Sequence, residues 1–196
     1  MDLTEMRARV REDLQDTDAL NYRWTDDEVG GAIDRVVTEY SLHAPIEQQD
    51  DIATTDGNTE LDISSLSGLL EIVSVEFPIG QTPKYLQRTE YWAGHLYIED
   101  EGEGKDARVR WLKKHTLDAS STTIPTEHEE IIVLGATGYL AMSAAAYTVD
   151  RASIAGRHAT INFKAWGKER LDRYDKKLKG IARTSRITPR ELYVEE

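Results

Sequence analysis

The sequence predicts an α+β fold: a small bundle of about four helices, an inserted antiparallel β-rich segment, and an extended C-terminal tail. Three observations carry this reading. Apolar residues recur at helical spacing in residues 3–14, 25–45, 124–149 and 160–181. Residues 46–118 instead break into short β-branched and aromatic runs separated by turn signals. The stretch 183–196 has no period and contains Pro189. The expected organisation is a helical core of 1–45 and 119–182, a β-rich insertion of 46–118, and a C-terminal arm of 183–196.

The first helix, "LTEMRARVREDL", places Leu3, Met6, Val10 and Leu14 on one narrow stripe. So narrow a stripe on a charged helix must pack against something larger. The second, "WTDDEVGGAIDRVVTEYSLHAP", is punctuated more fully. Thr25 with Glu28 three residues on forms a capping box, and Trp24 with Val29 forms a hydrophobic staple. Asp26 and Asp27 fall where the positive end of the helix dipole favours carboxylates. Val29, Ile33, Val36, Val37 and Tyr40 line one face, and Pro45 ends the run. Each acid here has a structural role, which weighs against a catalytic carboxylate cluster.

In the β-rich segment, Asp56-Gly57-Asn58, Gly80, Gly94 and the acidic loop Glu99–Asp106 mark turns. Val109 and Trp111 alternate with Arg108 and Arg110, predicting one buried and one wet face of a small sheet or partial barrel. In the next helix, Thr126 with Glu129 is read as a second capping box, and His128 as a surface residue of the first turn. From Ile131 to Val149, nineteen residues pass without a charge. The length approaches a membrane span, but the small and hydroxyl residues dilute its hydropathy, so the expectation is a helix buried on all sides and no membrane association. Its small residues Gly135, Gly138, Ala141 and Ala145 admit close backbone approach, by the same chain or by another subunit. Residues 151–158 read as a linking turn. In the last helix Phe163, Trp166, Leu171, Tyr174, Leu178 and Ile181 form the apolar set, and lysines and arginines take most of the rest. The tail "RTSRITPRELYVEE" is read either as disordered or as a docking arm, carried by Arg183, Arg186, Ile187, Pro189, Arg190, Leu192, Tyr193 and Val194.

Composition narrows the function. There is no cysteine, which excludes a disulfide framework, a thiolate metal site and a cysteine nucleophile. "MDLTEMRARVRED" has no apolar run of the kind a secretory leader needs. "HEEII" lacks the second histidine of a zinc-protease helix, and "GEGK" lacks the spacing of a phosphate loop. The acidic loop is dense in oxygen ligands without an EF-hand pattern. No cofactor, no metal and no enzymatic activity are expected. Charge is segregated: −18 over residues 1–150, +9 over 151–190 and −3 over the last six. The basic segment has two readings, a solvated helix face or a face that meets an acidic surface, including that of a second copy. An alternative function is non-catalytic nucleic-acid binding through the basic C-terminal helix, with Trp166 or Tyr174 as a stacking ring.

The order of "LTEMRARVREDLQDTD", "YRWTDDEVGGAIDRVVTEYS", "IPTEHEEIIVLGATGYLAMSAAAY" and "KAWGKERLDRYDKKL" resembles the head–tail connector (adaptor) proteins of tailed bacteriophages and gene transfer agents. The shared pattern is a W-[ST]-D-x-E helix ending in Tyr and a later small-residue helix opened by P-x-x-H/Y-E. It covers roughly 1–45 and 124–180, and the segment 46–118 is longer than the minimal family pattern. The resemblance implies a structural virion protein of the neck, assembled in the host cytoplasm as a ring of twelve copies beneath the portal. Its implied partners are itself, the portal protein, a stopper, head-completion or tail protein, and double-stranded DNA that slides through without sequence-specific binding.

Overall fold

The structure, a computed structural model, describes residues 1–149 and 163–185. The chain divides into two compact units, with crossings at Ala44/Pro45 and Lys114/His115.

The helical unit contains α1 (Leu3–Asp13), α2 (Asp26–His43), α3 (Glu129–Val149) and α4 (Phe163–Ser185). Asp2 caps α1 in a reciprocal box with Glu5, at 2.8 and 3.0 Å. Met6 and Val10 are completely buried on its stripe. At α2 the Thr25–Glu28 box forms as expected: the Thr25 N–H donates to Glu28 at 2.7 Å, and the Glu28 N–H donates to Thr25 Oγ1 at 3.2 Å. Trp24, Val29, Ile33, Val36, Val37 and Tyr40 all enter the unit's core. The helix stops at His43 because Pro45 has no N–H to continue the ladder.

The entry to α3 differs from the expected capping box. Thr126–His128 form a 3-10 turn with Pro125 at the cap position and no side-chain cap hydrogen bond. Proline has neither hydroxyl nor N–H to offer, so Thr126 lies inside the turn and no box closes. Glu129 is buried instead and bonded by the Met1 amino group.

α3 runs through the middle of the unit. Ile131, Ile132, Val133, Ala136, Leu140 and Ala141 are buried, as is Thr137, whose hydroxyl returns to the Val133 carbonyl at 2.8 Å. A burial pattern that goes round the helix explains the long uncharged run without a bilayer. Among the described residues no helix is long and apolar enough to cross a membrane. The expected linking turn at 151–158 lies outside the described residues. α4 buries Tyr174 and Leu178 and runs on to Ser185, so Arg183 belongs to the helix rather than to an extended arm. The other residues assigned to the arm, Arg186, Ile187, Pro189, Arg190, Leu192, Tyr193 and Val194, lie outside the described residues.

The second unit, Pro45–Lys114, holds two three-stranded antiparallel sheets instead of one. The first has the order β1 (Ile46–Ala53), β6 (Asp106–Lys113), β3 (Leu69–Glu76); the second has β2 (Glu60–Leu61), β5 (His95–Ile98), β4 (Thr89–Trp92). Val109, Trp111 and Val75 of the first sheet share one core with Leu61, Leu96 and Ile98 of the second. Arg108 and Arg110 face outward, as the alternation predicts. Two register shifts in β3 expose Leu70 and Val73.

His115–Asp118, placed by sequence in the β-rich segment, group with the helices. The His115 N–H donates to Ser41 Oγ at 3.0 Å, and its ring lies 2.9 Å from both the Ala44 and Thr123 carbonyls.

Candidate functional site

The polar residues of the helical unit are spent on holding its helices together. Arg11, 6% exposed, sits at the centre of one network. It donates to Asp16 at 2.7 Å, to the Trp24 carbonyl at 2.9 Å and to Asp26 at 2.8 Å, with the Tyr22 ring 3.7 Å away. The hydrogen bond from Arg11 holds Asp26 below the usual carboxylate range. Asp26, a helix-start acid by sequence, thus also ties α2 to α1.

Glu39 is the second hub. It accepts from Tyr139 Oη at 2.8 Å on each oxygen, from Tyr174 Oη at 3.3 Å and from Arg35 Nε at 3.1 Å. Burial raises both tyrosines, and Glu39 adds to the effect, so the phenols stay protonated as donors. A groove of about 410 Å³ opens beside them, lined by Glu39, His43, Tyr139, Asp172, Tyr174 and Asp175. Its hydroxyls are engaged with the carboxylate and are poor nucleophiles.

The third group joins α2 to the entry of α3. Tyr40 Oη and His128 Nδ1 lie 2.6 Å apart, and the Tyr40 ring is 5.0 Å from His115. Burial pushes Tyr40 up to about 12, so its hydroxyl stays protonated beside His128. His128 is therefore half-buried and bonded, not the simple surface residue expected.

Burial lowers the pKa of His115 from 6.5, against the two carbonyls that favour its charged form. A histidine with a depressed folded pKa binds fewer protons folded than unfolded. Its contribution is complete above pH 6.5, shrinks as pH falls below that value, and levels off once the folded pKa is passed. The expected result is a Tm that declines from pH 7 to pH 5 by more than the same decline in His115→Gln. Equal slopes in the two proteins would show that His115 does not titrate against folding.

The small residues of α3 are used within the chain. An added Cβ at Gly135 would lie 2.9 Å from Val36 Cγ1 and 3.0 Å from Tyr174 Cε2. One at Gly138 would lie 2.8 Å from Leu171 Cδ2, and one at Gly167 3.0 Å from Ala141 Cβ. Ala145 is buried as well. Of the four residues expected to pack closely, Gly135, Gly138 and Ala141 meet α2 and α4 of the same chain, the intrachain one of the two expected neighbours.

The outer face of the first sheet in the β unit is a charged ladder. Arg108 grips Asp51 through two bonds of 2.8 and 2.9 Å, and Arg110 reaches Gln49 at 3.3 Å and Glu76 at 3.6 Å. In the acidic loop, Gly102 binds the turn at Asn58 by backbone bonds of 2.8 and 3.0 Å, leaving no room for a Cβ. Among the described residues no group of three or more His, Asp or Glu is placed to hold a metal ion.

Sequence reasoning missed the buried Arg11, the Glu39 hub and the exposed aromatics of the β unit. Only the last left a local signal. "TEYWAGHLYI" is a hairpin with a two-residue turn, Ala93 at φ 50° and Gly94 at φ 88°, and it leaves Tyr91 55% and Trp92 73% exposed.

No protein-family model matches the chain, and no curated protein matches it.

Proposed function

We propose that the chain is a non-enzymatic head–tail connector of a tailed-phage-like particle. Copies form a ring beneath the portal, extend the DNA channel and present a platform to the next neck protein. The ring needs no cofactor and lies in the virion neck.

The observation that carries this reading is how the charge is used. Asp26 and Glu28, from the acidic cluster that opens α2, and Glu39 farther along the helix are engaged in caps and inter-helix bonds. The acidic remainder suits a channel that DNA crosses without adsorbing. α4 keeps Lys164, Lys168, Lys176 and Lys177 exposed, a surface complementary to an acidic neighbour. A head-to-tail contact of that kind closes a ring when its rotation closes.

Native mass measurement with the portal protein tests the proposal. The full chain is expected in a ring-sized complex, and a chain ending at Ser185 is expected to lose docking while its Tm moves by less than about 2 °C. A full chain that stays monomeric with its portal overturns the reading.

The exposed lysines of α4 also favour the nucleic-acid alternative. Its stacking element is weakened, since Tyr174 is buried and Trp166 lies beneath Arg170 at 4.5 Å. Binding to double-stranded DNA that persists through moderate salt would favour this alternative over the connector.

A further inference from the structure

We propose that the β4–β5 hairpin of one copy docks on the lysine-bearing face of α4 of a second copy. This rests on the ring reading above and names the two surfaces that meet in it.

The hairpin has the composition of a docking element. β4 is an edge strand exposed along its whole length. Trp92, beside the turn, is the most exposed aromatic of the unit, and Tyr91 next to it is half exposed. The register pairs Trp92 with His95 and Glu90 with Tyr97 on the sheet's outer face, opposite the buried Leu96 and Ile98. Glu60 joins that face through its bond to His95 and its pairing with Tyr97. The three strands of this sheet contain no lysine or arginine. The result is the Trp92 indole and the Tyr97 phenol beside Glu60 and Glu90 on one face, next to a tight turn, with Tyr91 on the opposite face of the same edge strand.

The complementary surface is on the helical unit. Lys164, Lys168 and Lys176 stand at four-residue multiples along α4, with Asp172 between them, and all three are exposed. Among the described residues, the cations of α4 that form ion pairs are Arg170, Arg173 and Lys179. These lysines therefore have their ammonium groups available. A lysine offers an apolar stem to lie along an indole and a cation for a ring face or a carboxylate. Both halves of the hairpin surface are matched by one residue type at one spacing. A second copy is the occupant because every copy carries both surfaces, in the head-to-tail arrangement that a ring requires.

The absence of cysteine allows a direct test with the full chain. Two single-cysteine variants, Glu90→Cys in the hairpin and Lys168→Cys in α4, are made with tags of different mass and mixed at low salt. A short bis-maleimide is added at the highest soluble concentration. The mixed hairpin-to-helix product is expected to exceed both like-with-like products, and Trp92→Ala in the hairpin partner should cut its yield by about tenfold. Trp92 is largely exposed, so that substitution leaves the melting curve in place, which circular dichroism checks.

Like-with-like products in equal or greater yield, or no mixed product, each overturn the inference. The connector reading is judged separately, by mass measurement with the portal. Ring-sized complexes without the mixed product sink this contact alone; no complex at all sinks both.

Discussion

Arg11→Ala is expected to remove about 3–5 kcal/mol from the unfolding free energy of the helical unit. It should appear as a lower urea midpoint at an unchanged slope, followed by circular dichroism. The size follows from what remains behind. Arg11 and Asp16 have side chains only 7% exposed and lie 2.7 Å apart, so removing the guanidinium strands a buried carboxylate. Asp16 keeps the Arg23 N–H at 2.8 Å and a longer bond from the Trp24 N–H at 3.4 Å, but two neutral amides cannot replace a cation. Asp26 is 67% exposed, so losing that bond adds little. The double variant Arg11→Met, Asp16→Asn is expected to recover more than half of the loss, because no charge then stays buried without a partner. A single-variant loss below about 1 kcal/mol, the range of an exposed pair, would show that the network is not buried in solution.

Gly138→Val is expected to cost about 3 kcal/mol and lower the melting temperature by about 10 °C. The α3 and α4 backbones meet at this point. A Cβ on Gly138 would lie 2.8 and 2.9 Å from two carbons of Leu171 and 3.3 Å from its backbone nitrogen. Directly opposite, a Cβ on Gly167 would lie 3.1 Å from the Gly138 carbonyl oxygen. Valine adds a Cβ carrying two methyl groups at a contact with no slack, so α4 must move or Leu171 must leave its rotamer. Gly138→Ala is milder, because the gain of about 1 kcal/mol in helix propensity offsets part of the clash. The pair also distinguishes intrachain packing from subunit packing. If Gly138 served contacts between copies, valine would change assembly mass and leave the monomer's melting intact.

The two predictions bear differently on what a reader of the sequence can see. The glycines of α3 are visible as a small-residue stripe, and only their partner was open. Arg11 is not visible. It occupies a polar position of a charged helix, and the carboxylate that holds it lies five residues away, past the helix end. Glu39 is similar: it reads as a surface acid of α2, yet Tyr139 and Tyr174 reach it from 100 and 135 residues away. The candidate docking hairpin is intermediate. Its turn chemistry is local, but the exposure of Trp92 depends on which strand takes the edge of the second sheet.

What the sequence determined by itself is what depends on near neighbours. The Thr25–Glu28 cap, the apolar faces of α1, α2 and α4, the alternation of β6 and the glycine turns follow from spacings of two to four residues, within reach of backbone geometry. Tertiary structure alone decided the rest. It divided six strands into two sheets, turned Glu129 away from the expected cap and filled the small-residue stripe from within the chain. Each of these is settled by contact between segments far apart in the chain. A buried charge or a missing Cβ takes its meaning from the atoms that arrive beside it, and a local pattern cannot name them.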